Sequence, residues 1–162
     1  MLRDRFATAR ALALLLPLGL MAGALGSQYI GHLYPCEMCW WQRYPHIAAI
    51  VLAALAFVVP GSGAKRALVL LATLAIIVSG AIGVFHAGVE YHWWEGITAC
   101  SSTMTGHGGS VKEMLDRIIH APVVRCDVAQ WALFGISLAG FNALLSLGGG
   151  ATILWLMRRP KP

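Results

Sequence analysis

Four stretches of this chain carry no charge, and each is long enough to cross a bilayer. Ala11–Cys36, Tyr44–Ala64, Ala67–Val89 and Val128–Met157 contain no Asp, Glu, Lys or Arg. A helix needs about 20 apolar residues to span roughly 30 Å of hydrocarbon. Lipid offers the backbone no hydrogen-bond partners, so such segments must satisfy their own amides, as helices do. The composition agrees: 58% hydrophobic, 12% charged and a mean hydropathy of +0.69, outside the range of soluble globular domains. The expected fold class is all-α, an integral membrane four-helix bundle forming one domain over residues 1–162. Its spans are expected at about 11–30, 39–59, 68–88 and 130–157, leaving outer loops at about 31–38 and 89–129.

The basic residues give an orientation. Arg3, Arg5 and Arg10 precede the first span, Lys65 and Arg66 separate the second and third, and Arg158, Arg159 and Lys161 follow the fourth. The opposite side holds Arg43, Lys112, Arg117 and Arg125 among Glu37, Glu90, Glu95, Glu113, Asp116 and Asp127. Lys and Arg concentrate in short cytoplasmic segments, so both termini are expected in the cytoplasm and every cysteine outside it. The net charge of +5 and pI near 9.3 follow from this asymmetry and require no nucleic-acid partner. Basic residues before Ala11–Leu20, and small ones at Ala22, Gly23 and Ala24, also imitate a secretory signal. Apolar sequence continues to Ile30, however, and favours a retained first span.

The second outer loop contains one readable element. Ser110-Val111-Lys112-Glu113 has the form of a capping box. After it, Val111, Met114, Leu115, Ile118 and Ile119 recur at helical spacing, opposite Lys112, Glu113, Asp116, Arg117 and His120. This predicts a short amphipathic helix, lying on the membrane surface or packing its apolar face on the bundle.

Two cysteine pairs carry the candidate chemistry. Cys36-Glu37-Met38-Cys39 is a C-x-x-C at the start of the second span. The chain has no second C-x-x-C and no H-x-x-x-H, so a closely spaced zinc set is lacking and no metal is expected. A disulfide closing so small a loop contributes little entropically, which favours a redox role over a structural one. Arg43 lies four residues after Cys39, so on a helix it shares the sulfur's face and, with the macrodipole, favours a thiolate. Trp40 and Trp41 suit the headgroup level. Cys100 and Cys126 have 25 residues between them. Spacing alone reads them as a stabilising disulfide worth roughly 3 kcal/mol, whereas the nearby reactive pair and glycine-rich surroundings suggest exchange. His86 stands near the outer end of the third span, as a packing group or as a hydrogen-bond donor to a lipid-soluble ligand. Glu90 is placed to orient it, and His46 reads as packing or polar satisfaction.

The run Cys36-Glu37-Met38-Cys39-Trp40-Trp41-Gln42-Arg43 resembles the C-x-x-C-x-x-[Glu/Gln]-Arg signature of the disulfide bond formation protein B (DsbB) family. Four spans, a C-x-x-C in the short outer loop, two cysteines in the long one and Trp131 after the last of them extend the resemblance over the whole chain. Phe85-His86-Ala87-Gly88-Val89-Glu90 and Trp93-Trp94-Glu95-Gly96 look like a branch of the family found in proteobacteria outside the enteric group.

The resemblance implies a thiol oxidase of the bacterial inner membrane with redox-active disulfides Cys36–Cys39 and Cys100–Cys126. A reduced periplasmic thioredoxin-fold oxidase of the DsbA type would attack Cys100. Cys126 would then attack Cys36, and Cys39 would pass the electrons to ubiquinone, or menaquinone, beside Arg43 and His86. A quinone is implied because DsbA, at about −120 mV, is too oxidising for an ordinary disulfide to recharge. Vitamin K epoxide reductase-like proteins also couple two cysteine pairs to a quinone, but carry their C-x-x-C near the last span.

Overall fold

The computed structural model describes residues 2–98, 110–112, 115 and 124–158. Its frame is four helices long and apolar enough to cross a membrane. They are α1 (Leu2–Tyr29), α2 (Glu37–Val58), α3 (Ser62–Glu90) and α4 (Leu138–Met157). At 1.5 Å per residue, the 20 residues of α4 rise about 30 Å, the thickness of the hydrocarbon layer. The chain is therefore a multi-pass membrane protein of the expected all-helical class.

α3 is the hub, packing on α2 along one side and on α4 along the other, while α1 closes against α2 and α4. The interior is built from small residues: Ala9, Ala13, Ala49, Ala53, Ala56 and Ala72 are fully buried with Val69, Ile76 and Ile153. Leucines and valines such as Leu15, Val51, Leu74 and Leu144 face outward. That inversion is what lipid permits, since helix association there depends on close backbone approach rather than on hiding large apolar groups. Gly80 and Gly83 let α3 meet α4: a Cβ at either would stand 3.0 Å from Ser146 Cβ or the Ala139 carbonyl. At the basic end, Arg66 Nη2 donates to the Met157 carbonyl at 2.8 Å and Arg5 Nη2 to that of Trp155 at 3.2 Å. Both carbonyls belong to the last turn of α4, where helical pairing runs out, and that of Trp155 also accepts from the Arg158 amide at 3.3 Å.

The fourth span departs from expectation. The charge-free run beginning at Val128 suggests helix from about residue 130, but α4 starts only at Leu138. Before it runs a two-stranded hairpin, β1 (Ala132–Leu133) and β2 (Ile136–Ser137), pairing Ala132 with Ser137 and Leu133 with Ile136. Phe134 and Gly135 have φ of 52° and 78°, the double positive φ of a type I′ turn. Ser137 then caps α4, its Oγ accepting from the Gly140 amide at 3.1 Å. Tyr91 moors the hairpin to the end of α3: its hydroxyl donates to the Gly135 carbonyl at 2.8 Å and accepts from the Ser137 amide at 2.9 Å. α1 and α3 begin earlier than the uncharged runs, at Leu2 and Ser62. The amphipathic helix expected after Ser110 falls largely outside the described residues.

Candidate active site

Cys36 is the N-cap of α2, and its Sγ accepts from the Cys39 amide at 3.3 Å. Cys39 sits in the first turn, where unpaired amides and the macrodipole best tolerate negative charge. The two sulfurs stand 3.0 Å apart as free thiols, with Cys36 donating. That hydrogen bond first, and burial second, push the Cys36 thiol far above its ordinary value, so Cys36 retains its proton.

His86 completes the pair from across the bundle. It is 2% exposed, with Nε2 3.6 Å from Cys36 Sγ and 3.7 Å from Glu90 Oε1. Gln42 Nε2 donates to His86 Nδ1 at 2.8 Å and to the Met38 carbonyl at 3.1 Å. Cys36 Sγ, Cys39 Sγ and a His86 nitrogen lie within 4.8 Å of one another, a set that could hold a metal ion. Two sulfurs on one tetrahedral zinc, each at about 2.3 Å, would stand about 3.8 Å apart. The sulfurs stand 3.0 Å apart, so holding zinc would require them to separate by about 0.8 Å.

The second cysteine pair is half visible. Cys126 is fully buried, packs with Cys36, Met38 and Val89, and is disulfide-bonded. Cys100 lies outside the described residues. Thr98 Oγ1 donates to Cys126 Sγ at 3.6 Å. Gln130 Nε2 ties the same loop to the first one by donating to the Tyr34 carbonyl at 2.7 Å. Arg125 grips Asp127 through two hydrogen bonds and holds that carboxyl below its usual range. The loop sulfur is thus delivered to the C-x-x-C by its own packing.

Beneath the dithiol is a cavity of about 350 Å³, within the range of small-molecule sites. α1 contributes Gly19, Leu20, Gly23 and Ala24; α4 contributes Leu138, Phe141 and Leu145. The polar wall includes Cys39, Gln42, Arg43, His46, His86, Glu90 and Asn142, with Trp131 also lining the cavity. Arg43 shares this cavity with Cys39, as its helical spacing predicts, but its hydrogen bonds run to α1. Nη1 donates to Gln28 Oε1 at 2.7 Å and Nη2 to the Ala24 carbonyl at 3.2 Å, with Trp40 5.0 Å beneath the guanidinium.

Sequence reasoning missed the network below. Asn142 Nδ2 donates to Gln42 Oε1 at 2.8 Å, and Asn142 Oδ1 accepts from Ser146 Oγ at 2.9 Å and from His46 Nε2 at 2.8 Å. Ser79 Oγ donates to the Gln42 carbonyl at 2.8 Å. The available signal was polar residues at membrane depth, which in general mark function. Gln42, His46, Ser79, Asn142 and Ser146 are five such residues within otherwise apolar helices.

The site is thus a buried dithiol beside a disulfide-bonded loop cysteine, above a cavity between the helices. The family model for "Disulfide bond formation protein DsbB" matches residues 6–156. The chain belongs to the DsbB family. It is 28% identical over 134 residues to the disulfide bond formation protein B of Marinobacter nauticus, covering 78% of this chain and 76% of that one. It is also 23% identical over 146 residues to the uncharacterized protein RP370 of Rickettsia prowazekii, covering 90% and 84%. No solved structure matches. Membership of the DsbB family makes this a membrane protein of disulfide bond formation.

Proposed function

We propose that this protein is a quinone-dependent thiol oxidase of the bacterial inner membrane. It reoxidises a periplasmic thioredoxin-fold dithiol oxidase of the DsbA type. Both termini lie in the cytoplasm and the cysteines face the periplasm, because Arg5, Lys65, Arg66 and Arg158 gather at the opposite end from Cys36. The observation that carries the reading is a free dithiol whose Cys39 lines an apolar-walled cavity while Cys36 packs against Cys126.

The partner's thiolate attacks Cys100 of a Cys100–Cys126 disulfide, forming a mixed disulfide and releasing the Cys126 thiolate. The partner's second thiol then displaces Cys100 and leaves oxidised. Cys126 attacks Cys36 of a Cys36–Cys39 disulfide, and Cys39 departs as a thiolate in the first turn of α2. Cys100 resolves the Cys126–Cys36 bond, which restores the loop disulfide and leaves Cys36 and Cys39 reduced. Ubiquinone or menaquinone, when bound, accepts the two electrons and two protons released as this dithiol closes again. The residues present fit such a group: apolar walls for the ring and tail, and the Arg43 guanidinium for an oxygen. His86, with Nδ1 taken by Gln42, serves from the other side by holding Cys36.

Two variants test this route. Cys39→Ser is expected to abolish quinone reduction while leaving the mixed disulfide at Cys100 trappable. Cys100→Ser is expected to prevent partner oxidation altogether. Full turnover by either variant would refute the electron path.

A further inference from the structure

One buried nitrogen on a cavity-lining residue is left idle by the thiol chemistry. His46 is 3% exposed and lines the cavity, and its Nδ1 has no hydrogen-bond partner among the described residues. We infer that His46 Nδ1 accepts a hydrogen bond from a hydroxyl of the reduced quinone, making the deep end of the cavity a quinol-selective subsite. This rests on the quinone reading above.

The network fixes which His46 nitrogen carries the proton. Asn142 Nδ2 faces only acceptors: Gln42 Oε1 at 2.8 Å, and the Ser79 carbonyl and Oγ at 3.2 Å each. Gln42 Oε1 is itself assigned, because Gln42 Nε2 donates to the Met38 carbonyl. Asn142 therefore turns Oδ1 toward His46 Nε2 at 2.8 Å, so Nε2 bears the hydrogen. A neutral imidazole protonated at Nε2 presents a bare lone pair at Nδ1. In an apolar interior an acceptor without a donor is costly, which favours a ligand that brings one.

Position and chemistry agree. His46 is seven residues beyond Cys39 on α2, hence on the same face and about 10 Å deeper. Closing the Cys36–Cys39 disulfide releases two electrons and two protons, which convert two quinone carbonyls into two hydroxyls. Carbonyl oxygens only accept, so the oxidised ring meets the Nδ1 lone pair unfavourably. The reduced ring offers it a donor. His86 cannot substitute, because Gln42 occupies its Nδ1 and Cys36 and Glu90 face its Nε2.

The experiment uses the full chain in nanodiscs, in a Cys39→Ala background so that no electrons move, titrated with short-tailed ubiquinone-1 and ubiquinol-1. Ubiquinol-1 is expected to bind more tightly, and His46→Leu to reduce that preference about threefold to tenfold, the worth of one hydrogen bond. The second readout needs no His46 substitution in the sample observed. In protein labelled with ¹⁵N-histidine, the Nδ1 resonance absent from His46→Leu should shift with ubiquinol-1 and stay with ubiquinone-1. An unchanged preference in His46→Leu would overturn the inference, as would an Nδ1 resonance that ubiquinol-1 does not move. Failure of both ligands to bind would sink the quinone reading itself.

Discussion

Replacing Asn142 with leucine tests whether the buried polar network holds the bundle and its site together. The side chains are close in size, so the change removes hydrogen bonds with little change of volume. It leaves Gln42 Oε1 without its donor, and His46 Nε2 and Ser146 Oγ without their acceptor. Two of these bonds join α4 to α2, and interhelical bonds in membranes average about 0.6 kcal/mol each. A buried group left unpaired costs about 1–3 kcal/mol in soluble proteins. The membrane figure is the better guide, because the separated helices also find polar partners; with the attachment of Asn142 Nδ2 to Ser79 on α3 as a third, the sum is about 2 kcal/mol. For a chain of this size that corresponds to roughly 4–8 °C in melting temperature. Thermal unfolding in detergent by near-UV circular dichroism, with exposed Leu144→Ala as control, measures it. A loss no greater than the control's would show that the network does not fasten α2 to α4.

Other consequences follow from particular contacts. A Cβ on Gly88 would stand 2.0 Å from Trp94 Cζ2, so Gly88→Ala must displace that indole from its bond to the Phe85 carbonyl, costing about 1–3 kcal/mol in chemical unfolding. Because the folded state raises the Cys36 thiol above its ordinary value of 9.0, the reduced protein keeps that stabilisation below this pH and loses it progressively as pH rises above it. Iodoacetamide labelling of reduced protein should accordingly modify Cys39 before Cys36 up to at least that pH, as read by mass spectrometry. Arg43→Lys removes the fork that bonds Gln28 and Ala24, so it should raise the quinone KM by about tenfold with a smaller change in kcat. Metal analysis of reduced protein should find less than one zinc per chain; stoichiometric zinc with no bound quinone would point to a structural metal protein.

Local sequence made the spans and the dithiol legible, and distance hid the rest. Charge-free length is a sufficient signal for a membrane helix, because lipid leaves the backbone no alternative. It does not say where the helix begins: Val128–Ser137 is as uncharged as α4, yet the Phe134-Gly135 turn and the Ser137 cap decide the boundary. Cys36, Cys39 and Arg43 were readable because helical spacing places them on one face. The partnership of His86 with Cys36 joins residues 50 apart, and that of His46 with Asn142 joins residues 96 apart. Both depend on α2 meeting α3 and α4 in a particular register. Arg43 shows the limit of spacing alone: the stripe was right, but the guanidinium reaches past the sulfur to α1.

The central claim is that electrons from a periplasmic dithiol pass through Cys39 into the cavity. The direct measurement follows quinol formation by ultraviolet absorbance, using purified protein, ubiquinone-1 and a reduced thioredoxin-fold dithiol partner. Stoichiometric, partner-dependent quinol formation that Cys39→Ala eliminates is the expected result. Quinone left unreduced by the wild-type protein, with all four cysteines in inert disulfides, would contradict it.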